Sequence, residues 1–549
     1  MAVLLSTGAV AHAQGNISGT VTAQGGAPLQ EARVIVLGTT RSANTGPDGK
    51  YLIRGVPAGT ADLRVLRVGY QEVKRSVRVL DGQTATLDFT MSQSVVQLEE
   101  VVTTATGEQR RVEVGNAVEN LSVAKITETA PIRNFADVLN GRVSGVLVQQ
   151  GGQTGSGQRI RVRGVSSISL SNDPIFVIDG IRMNANNSSA AFGNGGSNFS
   201  RLGDIDPETI ENVEIVKGPS AATLYGTDAA NGVVVITTKK GRTGSAKWNV
   251  FGEGGVLDDR NWYSDNYTLA GHSPTGALLI KAGECRLIDV SEGRCKKADG
   301  SFGYDSVRIY NPITDPTVTP LGYGYRKAAG LQVTGGTEAI RYFMSGGRDQ
   351  EIGVFQLDEY ERNRWDSLGV TIHPWQLRPN SRLLNSFRAN ISAQINPQLD
   401  ALVNFGYVTN EGYTSNESNN TVGIGSQAFG GPGYRNNGLV GGLPDSLLGY
   451  RAGTPGLVWA EKLQQNTNRI ILSSNINWRP SSWLQTRANF GTDFADRVDN
   501  NLHMNGEGWP LSTTYRDGQA RNGRDNINSI TADVGATANY NPSRYNWLG

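Results

Sequence analysis

Long apolar runs are what this 549-residue chain most lacks: after the first few positions no stretch of eighteen apolar residues occurs, which excludes transmembrane helices. Membrane strands stay possible, because their alternating apolar and polar residues average to a low hydropathy. Charge of one sign is missing as well. With 51 basic and 50 acidic residues the net charge is +1, so nothing in the electrostatics argues for a nucleic-acid partner. The four histidines, His12, His272, His373 and His503, lie far apart, and none has a glutamate three positions on. A zinc hydrolase needs imidazole and carboxylate ligands around an open coordination position, so no metal site is expected. G-x-S-x-G and H-E-x-x-H are also missing, and neither a catalytic residue nor a cofactor is expected. Cysteine is scarce: Cys285 and Cys295 are the two present. If the chain is exported, a local disulfide is the expected state of that pair.

Export is suggested by residues 1–13, where Val3-Leu4-Leu5 and Ala9-Val10 precede Ala11-His12-Ala13, an A-x-A cleavage pattern without the usual basic leader. The remaining chain is rich in glycine (69 residues in all) and too long for one ordinary domain. Residues 15–92 show short alternating runs at 17–21, 32–37, 51–53, 62–68, 75–79 and 85–89, separated by Gly, Pro and Asp. That spacing predicts a small β-sandwich. Residues 93–107 then contain Gln97-Leu98-Glu99-Glu100-Val101-Val102-Thr103-Thr104, extended in composition and able to add as a strand to an exposed sheet edge.

Residues 108–241 mix helix and strand signals. Phe135, Val138 and Leu139 share a helical face that Gly141 ends, and residues 145–148 and 159–163 read as strands. Arg159, Arg161 and Arg163 fall on one face of the second of these, and such a face needs acidic partners if it is buried. The stretch 206–241 reads strand, turn, single helical turn, strand. Val213-Glu214-Ile215-Val216 and Val233-Val234-Val235-Ile236 are its strands, and Lys217-Gly218-Pro219, Gly226 and Asn231-Gly232 its breaks.

From residue 245 onward, apolar and polar residues alternate. Phe387, Ala389, Ile391, Ala393 and Ile395 interleave with polar neighbours, and after Pro397 the pattern resumes at Ala401, Val403, Phe405 and Tyr407. The same design recurs at residues 470–478, 484–494 and 530–540. Each strand is expected to be about ten residues long, enough to cross a bilayer obliquely. Short turns at 335–338, 397–400, 479–482 and 541–544 alternate with long polar segments at 255–325, 350–385, 410–468 and 496–526, as short periplasmic turns and long outer loops do in membrane barrels. Trp248, Tyr342, Tyr407, Trp478, Trp483 and Tyr540 near strand ends suit interfacial girdles. About eight strands are expected against roughly 22 in plugged transporters, which reads as the first part of a large barrel.

These motifs carry two resemblances. GNISGTVTAQGGAPLQEARVIV and TGPDGKYLIRGVPAGTADLRV resemble the carboxypeptidase regulatory-like domain, an accessory sandwich. LNGRVSGVLVQQ, QRIRVRGVSS, PIFVIDGIRM and the 206–241 stretch resemble the plug of TonB-dependent outer-membrane receptors. The leading sandwich, Asp179-Gly180 and the closing ITTKKG point to the SusC/RagA group, whereas Lys217-Gly218-Pro219-Ser220 follows the general receptor form.

The resemblance implies a mainly β protein: a sandwich, an α/β plug, and part of a large antiparallel barrel in the outer membrane of a Gram-negative bacterium, with the N-terminal domain in the periplasm. It also implies active import of a glycan or peptide. The alternatives are a siderophore or other metal-chelate receptor, or a surface receptor or adhesin. Leu98, Glu99, Glu100, Val101, Val102 and Thr103 would form the TonB box, engaging TonB with ExbB and ExbD. Arg161, Arg163 and Glu214 would meet charges on the barrel wall, with outer-membrane lipid outside it and a SusD-like lipoprotein as lid.

Overall fold

The computed structural model describes residues 14–67, 70–92, 118–168, 171–185, 199, 201–218, 221, 225–281, 283–416, 422–435, 447–507 and 516–538, and the backbone of 101–104 and 107–110. The expected signal segment, residues 97–100 and Tyr540 lie outside these. The chain divides into two compact units, residues 1–101 and 102–549.

In the first unit, alternation at Gln14–Ala23, Lys50–Pro57 and Gly59–Leu66 turns every second side chain inward. Two four-stranded sheets result. One pairs Gln14–Ala23 with Lys50–Pro57, Thr84–Thr86 and Phe89–Met91; the other runs Ser42–Asn44, Arg33–Val36, Gly59–Leu66, Val73–Val79. Between them, Ile17, Val21, Val34, Leu63, Val65 and Phe89 form a dry core. The chain is mainly β, and this is its sandwich.

The second unit opens with a five-stranded sheet in the order Val118–Ser122, Ile210–Val216, Val233–Thr238, Ile175–Ile178, Ile181–Met183. Ile175–Ile178 runs parallel to Val233–Thr238, and the other pairings are antiparallel. Continuous β-branched runs suit strands covered on both faces. Phe135, Val138 and Leu139 of the short helix Phe135–Leu139 pack on one face, with Asn134 capping its first turn. Gly218 and Gly226 adopt φ of +82° and +84°, ending the strand and opening the turn.

An eight-stranded antiparallel sheet follows in strict chain order: Gly244–Leu257, Gly324–Gly336, Ile340–Ile352, Ser381–Asn396, Leu399–Thr414, Lys462–Ser481, Leu484–His503 and Gln519–Ala538. Among the described residues it is open, its first and last strands each pairing on one side. Gly241, where the chain enters this wall, lies so close to Tyr342 that a Cβ there would sit 2.2 Å from the Tyr342 amide nitrogen, so only glycine fits.

Register aligns the outward side chains into rows. Val250, Leu331, Gly346, Phe387, Tyr407, Ile470 and Phe494 stand directly opposite one another across seven strands. The next outward row, Gly252, Ala329, Arg348, Asn385, Thr409, Asn468, Asp496 and Asn526, is polar from the third strand on. The expected strand length of about ten residues is therefore corrected: the last three strands run 20 residues each. The reason is that ladder hydrogen bonds are indifferent to side-chain polarity, so pairing continues past the apolar band.

The segments beyond the strands are shorter than expected and are built, not loose. Asn266–His272, Leu278–Leu279 and Ser306–Tyr310 form a three-stranded sheet. Cys285 and Cys295 are joined in a disulfide beside it, with Cα atoms 5.5 Å apart. The same segment and the two that follow it share a core of Ile313, Val318, Leu357, Ile424, Tyr450 and Trp459.

Candidate functional site

The inner face of the wall is polar where the outer face is apolar, and the five-stranded domain lies against it as a plug. Asp179 sits just after the strand Ile175–Ile178 in a left-handed conformation (φ +48°), which Gly180 (φ +86°) continues. This turn aims its carboxylate back at the end of the sheet. Thr238 donates to it through its amide (3.0 Å) and hydroxyl (2.8 Å), and Arg388 of the wall through Nη1 (3.0 Å). Asn390 of the same wall strand donates to Thr238 Oγ1 (2.8 Å) and to the Lys239 carbonyl (2.7 Å).

A second contact is deeper. Arg469 is 1% exposed and reaches Asp204 of the plug (3.3 Å) and Asp493 of the neighbouring wall strand (2.7 and 2.6 Å). It also donates to the Asn184 carbonyl (3.2 Å), while the Asn184 amide donates to Asp493 (3.0 Å) and Asn410 donates to Asp204 (2.9 Å). Every charge here has an opposite charge and further hydrogen bonds, the condition under which such groups tolerate burial. Ser386 Oγ donates to Asp206 (2.6 Å), and Arg382 to the Gly203 carbonyl (2.7 Å).

Near the outer end of the wall, the plug loop 150–158 is tied by one amide. Gln153 Oε1 accepts from Asn380, from Thr414 Oγ1 (3.2 Å) and from the Ser415 amide (3.3 Å), while its Nε2 donates to the Ser415 carbonyl (3.2 Å). Thr154 donates to Glu351 (2.7 Å). Phe199 lies over Gly412, where any Cβ would come within 2.3 Å of its ring. The cavity left between loop and wall is about 130 Å³, lined by Gln153, Thr154, Gly203, Glu351, Asn380 and Arg382. Ligand pockets usually measure about 300–1,000 Å³. With the plug seated, this space holds little beyond a few waters.

Arg161, Arg163 and Glu214, the residues expected to meet charges on the wall, have these surroundings within the plug. Arg161 pairs with Asp173 inside the plug, Arg163 packs over Gly218, and Glu214 is buried in the central sheet opposite Asn120 and Val235. In the seam contacts described above the plug supplies carboxylates at 179, 204 and 206, and the wall answers with Arg388, Arg469 and Ser386. Inward-facing Arg388 and Arg469 could have been found as charges at the polar parity of alternating strands. Val101–Thr104 is a strand paired with Gly107–Arg110.

Comparison with known proteins agrees with this architecture. The TonB-dependent Receptor Plug Domain matches residues 110–233 and the Carboxypeptidase regulatory-like domain residues 16–92. The chain is 27% identical over 503 residues to TonB-dependent receptor P26 of Formosa agariphila, covering 89% of this chain and 43% of that protein. Over 246 residues it is 32% identical to TonB-dependent receptor SusC of Bacteroides thetaiotaomicron, covering 44% and 23%. It thus spans less than half the length of these relatives. In fold it is similar to the RagAB peptide importer in its open-open state, with a TM-score of 0.51 at 17% identity, covering 79% of this chain and 46% of that one. A regulatory-like sandwich ahead of a receptor plug, followed by a wall with polar inner and apolar outer rows, makes this chain similar to the SusC/RagA-like TonB-dependent receptors of the Gram-negative outer membrane.

Proposed function

We propose that this chain serves TonB-dependent import of a glycan or peptide across the outer membrane. The observation that carries the reading is the seam. A plug held to this part of the wall by Asp179–Arg388 and Asp204–Arg469, with a cavity of about 130 Å³ between them, has to be displaced before a nutrient can pass along it. Ligand binds on the outer segments and plug apex. TonB, energised with ExbB and ExbD, captures residues 98–103 by strand addition and pulls. Backbone pairing of Val101–Thr104 with Gly107–Arg110 supports the strand competence of that segment. A SusD-like lipoprotein serves as the lid. The matching families are receptors and transporters, not enzymes.

The test is uptake of labelled oligosaccharide and oligopeptide pools by cells with and without TonB, and with Val101→Pro. Proline removes one main-chain donor from the expected strand, so uptake is lost while surface binding persists. Uptake that is unchanged without TonB refutes the reading. Uptake of a ferric siderophore alone replaces the ligand class with a metal chelate.

A further inference from the structure

Outside the seam, the outward face of the wall carries two cations that make no ion pair among the described residues. Lys327 and Arg348 are both exposed and lie on neighbouring strands. Ala329 stands opposite Arg348 and Lys327 opposite Gln350, so the two cations are diagonal neighbours, about 7–8 Å apart at the backbone. Neither makes an ion pair with a described residue. Lys327 Nζ rests 5.4 Å from the ring centre of Tyr325, which faces the same way.

The acids next along these outward rows are already engaged. Glu411, two strands from Arg348, accepts from Gln464 (3.0 Å), and Asp496, four strands away, is held by Arg524 (2.9 and 3.0 Å). Arg326, on the same strand as Lys327, points inward to Glu253 and Asp349. Positive charge without a protein counterion is thus concentrated on the second and third strands.

Directly beneath this pair the outward face turns apolar, through Val250, Leu331, Met344 and Phe387. An anion free in water has no use for that surface, whereas an anion at the head of an acyl chain has use for both. Gln350 and Asn385 flank the cations with amides suited to hydroxyl groups.

We propose that Lys327 and Arg348, with Gln350 and Asn385, form a binding site for a phosphorylated glycolipid of the outer leaflet, its phosphate on the cations and its acyl chains along Leu331, Met344 and Phe387. Arginine and lysine both bind phosphate, and cations at a membrane surface each add about 1 kcal/mol of attraction to anionic headgroups. The inference rests on the outer-membrane reading of the wall.

The test is the glycolipid retained by the full chain purified from outer membranes in mild detergent, quantified by native mass spectrometry and by bound phosphorus. Lys327→Glu with Arg348→Glu is expected to retain at least about thirtyfold less, while the charge-conserving exchange Lys327→Arg with Arg348→Lys retains the wild-type amount. Lys297→Glu, in the outer disulfide-bonded segment, serves as the control and changes nothing. Added inorganic phosphate does not displace the bound lipid. Equal retention by the double glutamate variant overturns the proposal, as does an equal loss in the Lys297→Glu control or displacement by inorganic phosphate. A chain that does not fractionate with the outer membrane at all refutes the transport reading instead, so the two failures are distinguishable.

Discussion

Arg469 of the wall lies 3.3 Å from Asp204 of the plug, and both side chains are almost entirely withdrawn from solvent. With Asp493 on the other side of the guanidinium, the group joins two carboxylates to Arg469, and the buried Arg201 guanidinium lies within electrostatic reach of both acids. Its energetics are those of a buried network: removing one member strands the others.

Arg469→Met is therefore expected to destabilise plug seating by about 3–5 kcal/mol, because Asp204 and Asp493 keep their desolvation cost and lose their counterion. Replacing all three with apolar residues of similar volume costs less than the single change. Protease accessibility of residues 199–218 in the full chain measures both. A triple variant as damaged as Arg469→Met would show that packing, not charge, holds the plug.

Stability of the outer segments falls as pH rises from about 4.5 to about 7. Glu361 is 1% exposed, and its carboxylate accepts from Thr454 Oγ1 and from the Gly456 amide (2.8 Å), joining two outer segments. Burial outweighs these bonds and pushes its pKa up from 4.5 to about 7. Burial raises Asp358 beside it as well. Because the folded state keeps the Glu361 proton that the unfolded state has already lost, the contribution is full below pH 4.5 and lost as pH rises to about 7. Hydrogen exchange across residues 447–461 between pH 5 and 8 reads the effect. Glu361→Gln flattens that profile; an unchanged profile would assign the dependence elsewhere.

The Cys285–Cys295 disulfide closes a short loop around Asp289, which Arg286 and Arg294 hold from either side. Hydrogen bonds from the Arg286 and Arg294 guanidinium groups hold its pKa well below the usual carboxylate range, against the opposing effect of desolvation. Paired serine substitutions are expected to lower local stability by about 2–4 kcal/mol, scored as new protease sites within residues 273–305. The eight-stranded wall stays resistant.

Residues 14–92 contain a complete set of sandwich strands and their own core. Expressed alone, they are expected to form a soluble monomer that unfolds in one cooperative transition by calorimetry. A noncooperative transition would mean that this core depends on the rest of the chain.

Much of this was legible from the sequence because it is decided locally. Alternation at 387–395 and 401–407 sets which side chains face outward, since the period of a strand is two whatever surrounds it. Gly218, Gly226 and Gly232 mark turns because few other residues adopt their positive φ. The sandwich strands announce themselves in the same way. What only the tertiary structure decided are relationships across hundreds of residues. Strand ends could not be read from polarity, because the ladder pairs backbone groups and extends beyond the apolar rows. Nor could the sequence show which charges meet at the seam. Asp204 and Arg469 lie 265 positions apart, and their contact depends on how the plug sheet lies against the wall. No local pattern encodes that placement; it is set by the closest packing of two separately formed sheets.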